Sequence, residues 1–222
     1  KALIKKAKSL PLNGNNLISF DEIEIISRKS VKKLSIKKIN DLPHLLKKIV
    51  KKDIKLITKK KKFKNLNFKT LPKIMGVLNM TPDSFSDGGK YNKNYLAKKR
   101  LNYLFNSGAD IVDIGGESTR PGSKPISSKI EWNRIKYILN NFNKNFFLSL
   151  DTRKSHIMEK GINLGVALIN DVSGLSYDKN SIKVLKKYKI PFVLQHSLGN
   201  PDVMQNNPKY KNVLLDIYDF FE

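Results

Sequence analysis

The sequence predicts an α/β fold built on a parallel sheet with helices on both faces. Three observations predict it. Five short segments downstream of residue 72 are almost wholly apolar, amphipathic segments separate them, and polar residues gather at one end of each apolar run. Strands apolar on both faces are buried on both faces, and helical crossovers are what bury them. Five βα units leave an open sheet and a (β/α)8 barrel both available. In either one, ligands meet the fold at the carboxyl ends of the strands. No GxGxxG runs from a strand into a helix, so a dinucleotide site is poorly supported.

Before the first of these units lies a smaller, basic region. Residues 20–27 and 31–36 are expected to pair as a β-hairpin across a turn at 28–30. A short helix is expected over 42–50 and a strand at 54–57. The run KKKKFKNLNFKTLP at 59–72 is charged and locally aperiodic, which places a boundary there. The expected division is a basic α/β extension and linker over 1–70 and a second domain over 71–222. His44 follows Pro43 in a helical turn and reads as a solvated histidine.

The first core strand ends at Asn79 within KIMGVLNMTPDSFSDGG, residues 73–89. Thr81, Asp83, Ser84, Ser86 and Asp87 follow at its carboxyl end. Oxygen-rich loops of this kind offer ligands to a hard cation and hydroxyl donors to an anion, although a plain polar turn has the same composition. The pattern recurs. ADIVDIGG at 109–116 leads to Glu117, Ser118, Thr119, Arg120 and Pro121; FFLSLDT at 146–152 carries Asp151; VALINDV at 166–172 presents Asn170 and Asp171; PFVLQHS at 191–197 ends in Gln195 and His196. Helices are expected near 92–107, 127–142, 154–163 and 179–188. In the first, Leu96, Leu101, Leu104 and Phe105 form an apolar face.

Composition limits the function classes. The absence of cysteine excludes disulfides, thiolate metal ligands and a cysteine nucleophile. No apolar run reaches membrane-spanning length and no secretory segment opens the chain, so a cytoplasmic protein is expected. The formal charge of +24 raises the question of nucleic acid. Lysines cluster at 47–62, with Phe63 and Phe68 nearby. They also decorate nearly every later helix, in a chain equally rich in asparagine and isoleucine. So even a distribution reads as compositional bias, with attraction of an anionic substrate as its milder consequence.

MGVLNMTPDSFSDGG at 75–89, DIGGESTRPG at 113–122, DTRK at 151–154, INDVSG at 169–174 and HSLGNPDVMQNNPKY at 196–210 resemble dihydropteroate synthase. The motifs stand in the family's order and span about two thirds of the chain. The resemblance implies a (β/α)8 TIM barrel, with about the first five βα units present here. It implies the joining of 4-aminobenzoate to 6-hydroxymethyl-7,8-dihydropterin pyrophosphate, usually with Mg2+, and a homodimer. The region before residue 71 is similar to an N-terminal extension of some bacterial members.

Roles then follow position by position, as implications of that resemblance. Asn79 contacts Mg2+ and the pyrophosphate, and Thr119 and Arg120 supply donors to phosphate oxygens. Asp151 and Asn170 take the pterin edge, with Gln195 at the rim where the family often has methionine. Phe85 and Pro121 flank 4-aminobenzoate, with Ser84 and Ser86 shaping the loop and Asp83 and Asp87 ordering it. Asp171 and His196 read as structural, and no strong base is needed because the arylamine becomes more acidic as its new bond forms. Plainer readings stand beside these: Asn79 as a loop cap, Arg120 as a salt-bridge partner of Glu117, and Asp151 as the N-cap of the following helix.

Two other functions are compatible with parts of the sequence. A pterin-binding methyltransferase domain would use a similar Asp and Asn, but TPDSFSDGG and GESTRPG favour pyrophosphate chemistry. A non-catalytic basic binding protein would rest on the N-terminal lysines alone. The family's later motifs, a Gly-rich strand end with a lysine, a Ser-Arg-Lys loop and a terminal Arg-x-His, are not among these residues. The chain is therefore expected to be the first part of a barrel and inactive by itself.

Overall fold

Parallel pairing organises the larger part of the molecule. In the computed structural model, which describes residues 8–61, 63, 66, 72–81, 93–118, 123–196 and 209–222, the chain divides into two compact units. One comprises Lys1–Phe63 with Tyr210–Glu222 and the other Lys64–Lys209.

The first unit holds two antiparallel hairpins. Strand β1 (Leu10–Leu12) pairs with β2 (Asn15–Phe20), and β3 (Glu22–Ile26) with β4 (Val31–Ser35). The β3–β4 hairpin turns at 27–30, as the sequence predicts. The β1–β2 hairpin is absent from the sequence reading, although Asn13-Gly14 signals it. Both residues sit in the left-handed region, at φ 50° and 67°, as a tight hairpin turn requires. Asp21 separates β2 from β3, so the expected strand at 20–27 joins the end of one hairpin to the start of the next.

A 3-10 helix (Ile36–Asp41) leads into α1 (His44–Thr58). This helix is longer than expected and absorbs the strand predicted at 54–57. Leu46, Val50 and Ile54 recur every fourth residue and pack with Leu34, Ile39 and Leu42. Helical spacing therefore wins over the short apolar run. In the same unit α6 (Val213–Phe221) is capped by Asn212, whose side chain accepts from the Leu215 amide, and Arg28 forks to Asp216 and Asp219.

The second unit carries the expected partial barrel. Strands β5 (Met75–Asn79), β6 (Ile111–Gly115), β7 (Leu148–Asp151), β8 (Leu168–Asp171) and β9 (Phe192–Leu194) lie side by side in that order, all parallel. Helices α2 (Lys93–Asn106), α3 (Ser128–Asn141), α4 (Ser155–Asn163) and α5 (Ser181–Tyr188) connect them or follow in the crossovers. Alternation along the strands sorts the side chains. Leu78, Val112, Ile114, Leu148, Leu150 and Ile169 turn toward the helices and pack on Leu101, Ile135, Leu139, Ile157, Met158 and Leu185. The intervening positions, Val77, Asn79, Asp113, Gly115, Ser149, Asp151 and Asn170, face the other side. Among the described residues no helix is long and apolar enough to cross a membrane.

Helix α3 packs closely on Gly116, just beyond β6. A Cβ there would stand 2.9 Å from the Glu131 carbonyl oxygen and 2.9 Å from Ile135 Cγ2. The Arg134 guanidinium also donates to the Gly116 carbonyl, at 2.8 Å. Because one obstacle is helix backbone, no side-chain rotation relieves the clash. Gly116→Ala is expected to destabilise by about 1–3 kcal/mol, the usual cost of overpacking. The change should appear as a lower denaturant midpoint with an unchanged slope.

Candidate active site

The carboxyl ends of β5 to β8 carry one lateral row of residues. Asn79 is in register with Gly115, Gly115 with Asp151, and Asp151 with Asn170. Residues in register in a parallel sheet project to the same side. Side-chain positions agree with this: a Cβ on Gly115 would lie 3.4 Å from both Asn79 Oδ1 and Asp151 Oδ2. Glycine thus leaves an open floor between an exposed amide and a half-buried carboxylate.

One step deeper on the same face lies Asp113, which the sequence reading left inside an apolar strand. Its side chain is buried, and its Oδ2 accepts from Asn170 Nδ2 at 2.8 Å. A carboxylate only accepts, so this bond fixes the Asn170 amide with its nitrogen toward Asp113. The Asn170 carbonyl oxygen is left to accept from something else. Asp113 Oδ1 and Asp151 Oδ1 are buried with no hydrogen-bond partner among the described residues. Buried acceptors without donors are costly, and two of them on one face, beside the Asn170 carbonyl oxygen, suit a ligand that presents N–H groups.

Electrostatics reinforce that reading. Burial pushes the Asp151 carboxyl up to about 8, helped by the negative charges of Asp113, Glu131, Asp171 and Glu117. Burial also raises Asp113, against the opposing influence of the nearby Ser149 hydroxyl and the Asn170 hydrogen bond. Strong perturbation at strand tips marks candidate functional groups when geometry agrees. The plainer role for Asp151, capping the next helix, does not hold. It is Asp178 of the following crossover whose Oδ2 accepts from the Ser155 amide at the start of α4, at 2.9 Å.

Asp171 points to the helix side and is fully buried. It accepts from the Ser173 amide at 2.8 Å and the Ser173 hydroxyl at 2.6 Å, shaping the turn after β8. Gln195 follows β9 and is exposed, with half-buried His196 next to it. Thr119, Arg120, Pro121, Ser84, Phe85, Ser86, Asp83 and Asp87 lie outside the described residues. Glu117, the suggested partner of Arg120, is bonded to Arg153 and Lys154.

For a metal, the donors available are few. Among the described residues no group of three or more His, Cys, Asp or Glu side chains could hold an ion. That donor set does not form a dedicated cage. The exposed Asn79 side chain offers a neutral oxygen of the kind that suits a hard ion such as Mg2+, which keeps most of its waters and shares phosphate oxygens with one or two protein ligands.

Comparison with known proteins identifies the family. The family described as pterin binding enzyme matches residues 75–222. A dihydropteroate synthase of Clostridium beijerinckii is 43% identical over 146 residues, covering 65% of this chain and 52% of that protein. The solved dihydropteroate synthase of Yersinia pestis, in complex with a sulfonamide drug, superposes with a TM-score of 0.62 at 36% identity, over 70% of this chain and 57% of that one. That of Burkholderia cenocepacia, complexed with 7,8-dihydropteroate, gives 0.59 at 34% identity over 70% and 52%. The chain spans about half the length of the curated relatives it matches. It belongs to the pterin-binding enzyme family, as a homologue of the bacterial dihydropteroate synthases.

Proposed function

We propose that the protein condenses 6-hydroxymethyl-7,8-dihydropterin pyrophosphate with 4-aminobenzoate to give 7,8-dihydropteroate and pyrophosphate. The observation that carries this reading is the row Asn79–Gly115–Asp151–Asn170, with spare buried acceptors at one end and an exposed amide at the other. An aminopyrimidinone edge presents adjacent N–H donors, which match the free oxygens of Asp151 and Asn170. The Burkholderia protein's bound 7,8-dihydropteroate belongs to the product class expected here.

The arylamine nitrogen attacks the methylene carbon of the pterin ester. The carbon–nitrogen bond forms as the carbon–oxygen bond to pyrophosphate breaks, and the amine proton leaves to solvent. Asp151 and Asn170 orient the ring, with Asp113 holding the Asn170 amide and Gln195 at the rim. Asn79, Thr119 and Arg120 bind the pyrophosphate, whose growing negative charge is what catalysis has to stabilise. Phe85 and Pro121 flank the 4-aminobenzoate ring, with Ser84 and Ser86 beside them. Mg2+, held by Asn79 together with the diphosphate, would neutralise charge on the leaving group. The protein works as a cytoplasmic homodimer on small-molecule substrates, and nucleic acid is no part of its function.

Calorimetry on the whole protein tests the assignment. Pterin pyrophosphate with Mg2+ should bind and, with 4-aminobenzoate added, release pyrophosphate. Binding of methyltetrahydrofolate in its place would overturn the reading.

Asp151→Asn is expected to weaken pterin binding about tenfold to a few hundredfold, since a charged hydrogen bond contributes about 1.5–3 kcal/mol. The pH dependence has a definite sign. With the empty-site carboxyl near 8, affinity should rise with pH up to that value, by at most about tenfold per unit. The Asn variant should show a flat profile.

Stability should move the other way. A carboxyl raised from 3.8 to about 8 favours the folded state fully only below the lower value, and that contribution is lost as pH climbs to the upper one. Without ligand, Asp151→Asn should therefore melt above the wild type at pH 8 and match it near pH 4. Equal melting temperatures at pH 8 would show that the carboxyl is not strained there.

A further inference from the structure

Behind the Asp151 strand end lies a buried ionic cluster to which the reaction scheme gives no task. Glu117, Glu131, Arg153 and Lys154 are each 6% exposed or less. Lys154 Nζ donates to Glu117 Oε2 at 2.8 Å and to Glu131 Oε2 at 2.6 Å. Arg153 reaches the same Glu117 carboxylate through Nε at 3.1 Å and Nη2 at 3.2 Å, and its guanidinium lies over the Tyr177 ring at 4.1 Å. Thr152 Oγ1 donates to Glu131 Oε1 at 2.5 Å. Burial pushes the Glu117 carboxyl up, but Arg153, Lys154 and the Ile126 amide outweigh it and hold it below the usual range.

Two acids and two bases balance, and every carboxylate oxygen is engaged. Desolvating such a set is costly, and apolar residues of the same volume often stabilise as well or better. What apolar residues could not do is fix three segments at defined distances. Glu117 follows β6, and its Oε1 also accepts from the Ile126 amide at 2.9 Å. Ser123 Oγ donates to the Ser118 carbonyl at 2.7 Å. Both stems of the β6–α3 loop are thus tied together, then tied through Lys154 to α3 and to the residues directly after Asp151. In the sequence, Thr119 and Arg120 come two and three residues after Glu117.

We propose that Lys154 is a positioning residue that sets the β6–α3 loop stem relative to the Asp151 strand end, and thereby the anionic half of the substrate relative to the pterin half. The proposal rests on the function given above. It differs from a general packing role in one respect: its effect should depend on whether the ligand carries phosphate.

The test uses the whole protein and compares 6-hydroxymethylpterin with its pyrophosphate by calorimetry, together with steady-state kinetics. Lys154→Met should weaken the pyrophosphate ester at least tenfold and raise its KM in parallel. Affinity for the phosphate-free pterin should stay within about twofold. Lys154→Arg, which can still bridge two carboxylates, should recover most of the loss. Should Lys154→Met fail to fold, Lys154→Met combined with Glu131→Gln restores charge balance and carries the same measurement, with the same phosphate-selective loss expected. Equal losses for both ligands, or none, in a folded variant would overturn the proposal while leaving the function intact. A wild type that binds neither pterin would overturn both.

Discussion

The lateral register of the parallel strands is the constraint on which the site depends. Asn79, Gly115, Asp151 and Asn170 are spread over about ninety residues of chain, yet pairing of β5 with β6, β6 with β7 and β7 with β8 sets them in one row. At about 4.8 Å per strand spacing, the row runs about 14 Å along the sheet. That is room for a bicyclic ring with a short anionic arm. A one-residue slip of any strand would turn its tip toward the helices and take it out of the row. The core prevents such a slip, because Leu78, Ile114, Leu150 and Ile169 are each buried on the helix side next to a row residue. Packing on one face therefore fixes chemistry on the other.

Much of this was legible from residue order. Apolar runs ending in Asn79, Asp151 and Asn170 mark both the strands and their functional ends, because parallel strands buried on both faces must be apolar until they surface. Asp113 was not legible in the same way. It sits in the middle of ADIVDIGG, where a lone acid reads as an interruption of a strand. The available signal was parity, since Asp113 lies two residues before Gly115 and must share its face. The Glu117–Lys154 cluster could not be read at all. Its partners come from a loop, a helix and a strand end, and sequence spacing carries no information about such meetings. The differences in the N-terminal unit have local causes. Asn13-Gly14 signals a hairpin whose first strand is only three residues long, and at 54–57 a short apolar run resembles a strand until the fourfold spacing from Leu46 is followed.

Two buried charge clusters stand back to back on β7, and the contrast between them separates scaffold from site. Glu117 and Glu131 have every oxygen bonded. Asp113 and Asp151 each keep a buried oxygen with no partner among the described residues. Folding alone favours satisfying both clusters. An arrangement that satisfies one and leaves the other open holds unfavourable free energy in reserve for a ligand to relieve. Relief of that kind adds to affinity without adding contacts, at a cost to the stability of the empty protein.

The chain order Asp151-Thr152-Arg153-Lys154 shows how the two clusters stay separate. Two cations follow the acid within three residues, in a chain of net charge +24, and by proximity alone they should hold Asp151 ionised and low. They do not, because Thr152, Arg153 and Lys154 all bond behind the strand, where Glu117 and Glu131 saturate both cations. Burial of Asp151, reinforced by the charges of Asp113 and those acids, therefore raises its carboxyl to about 8 instead of letting it fall. Net charge sets how strongly a distant anion is drawn toward the molecule. The field within the site is set by which face each side chain takes, and here that is decided one residue beyond the strand's last ladder bond.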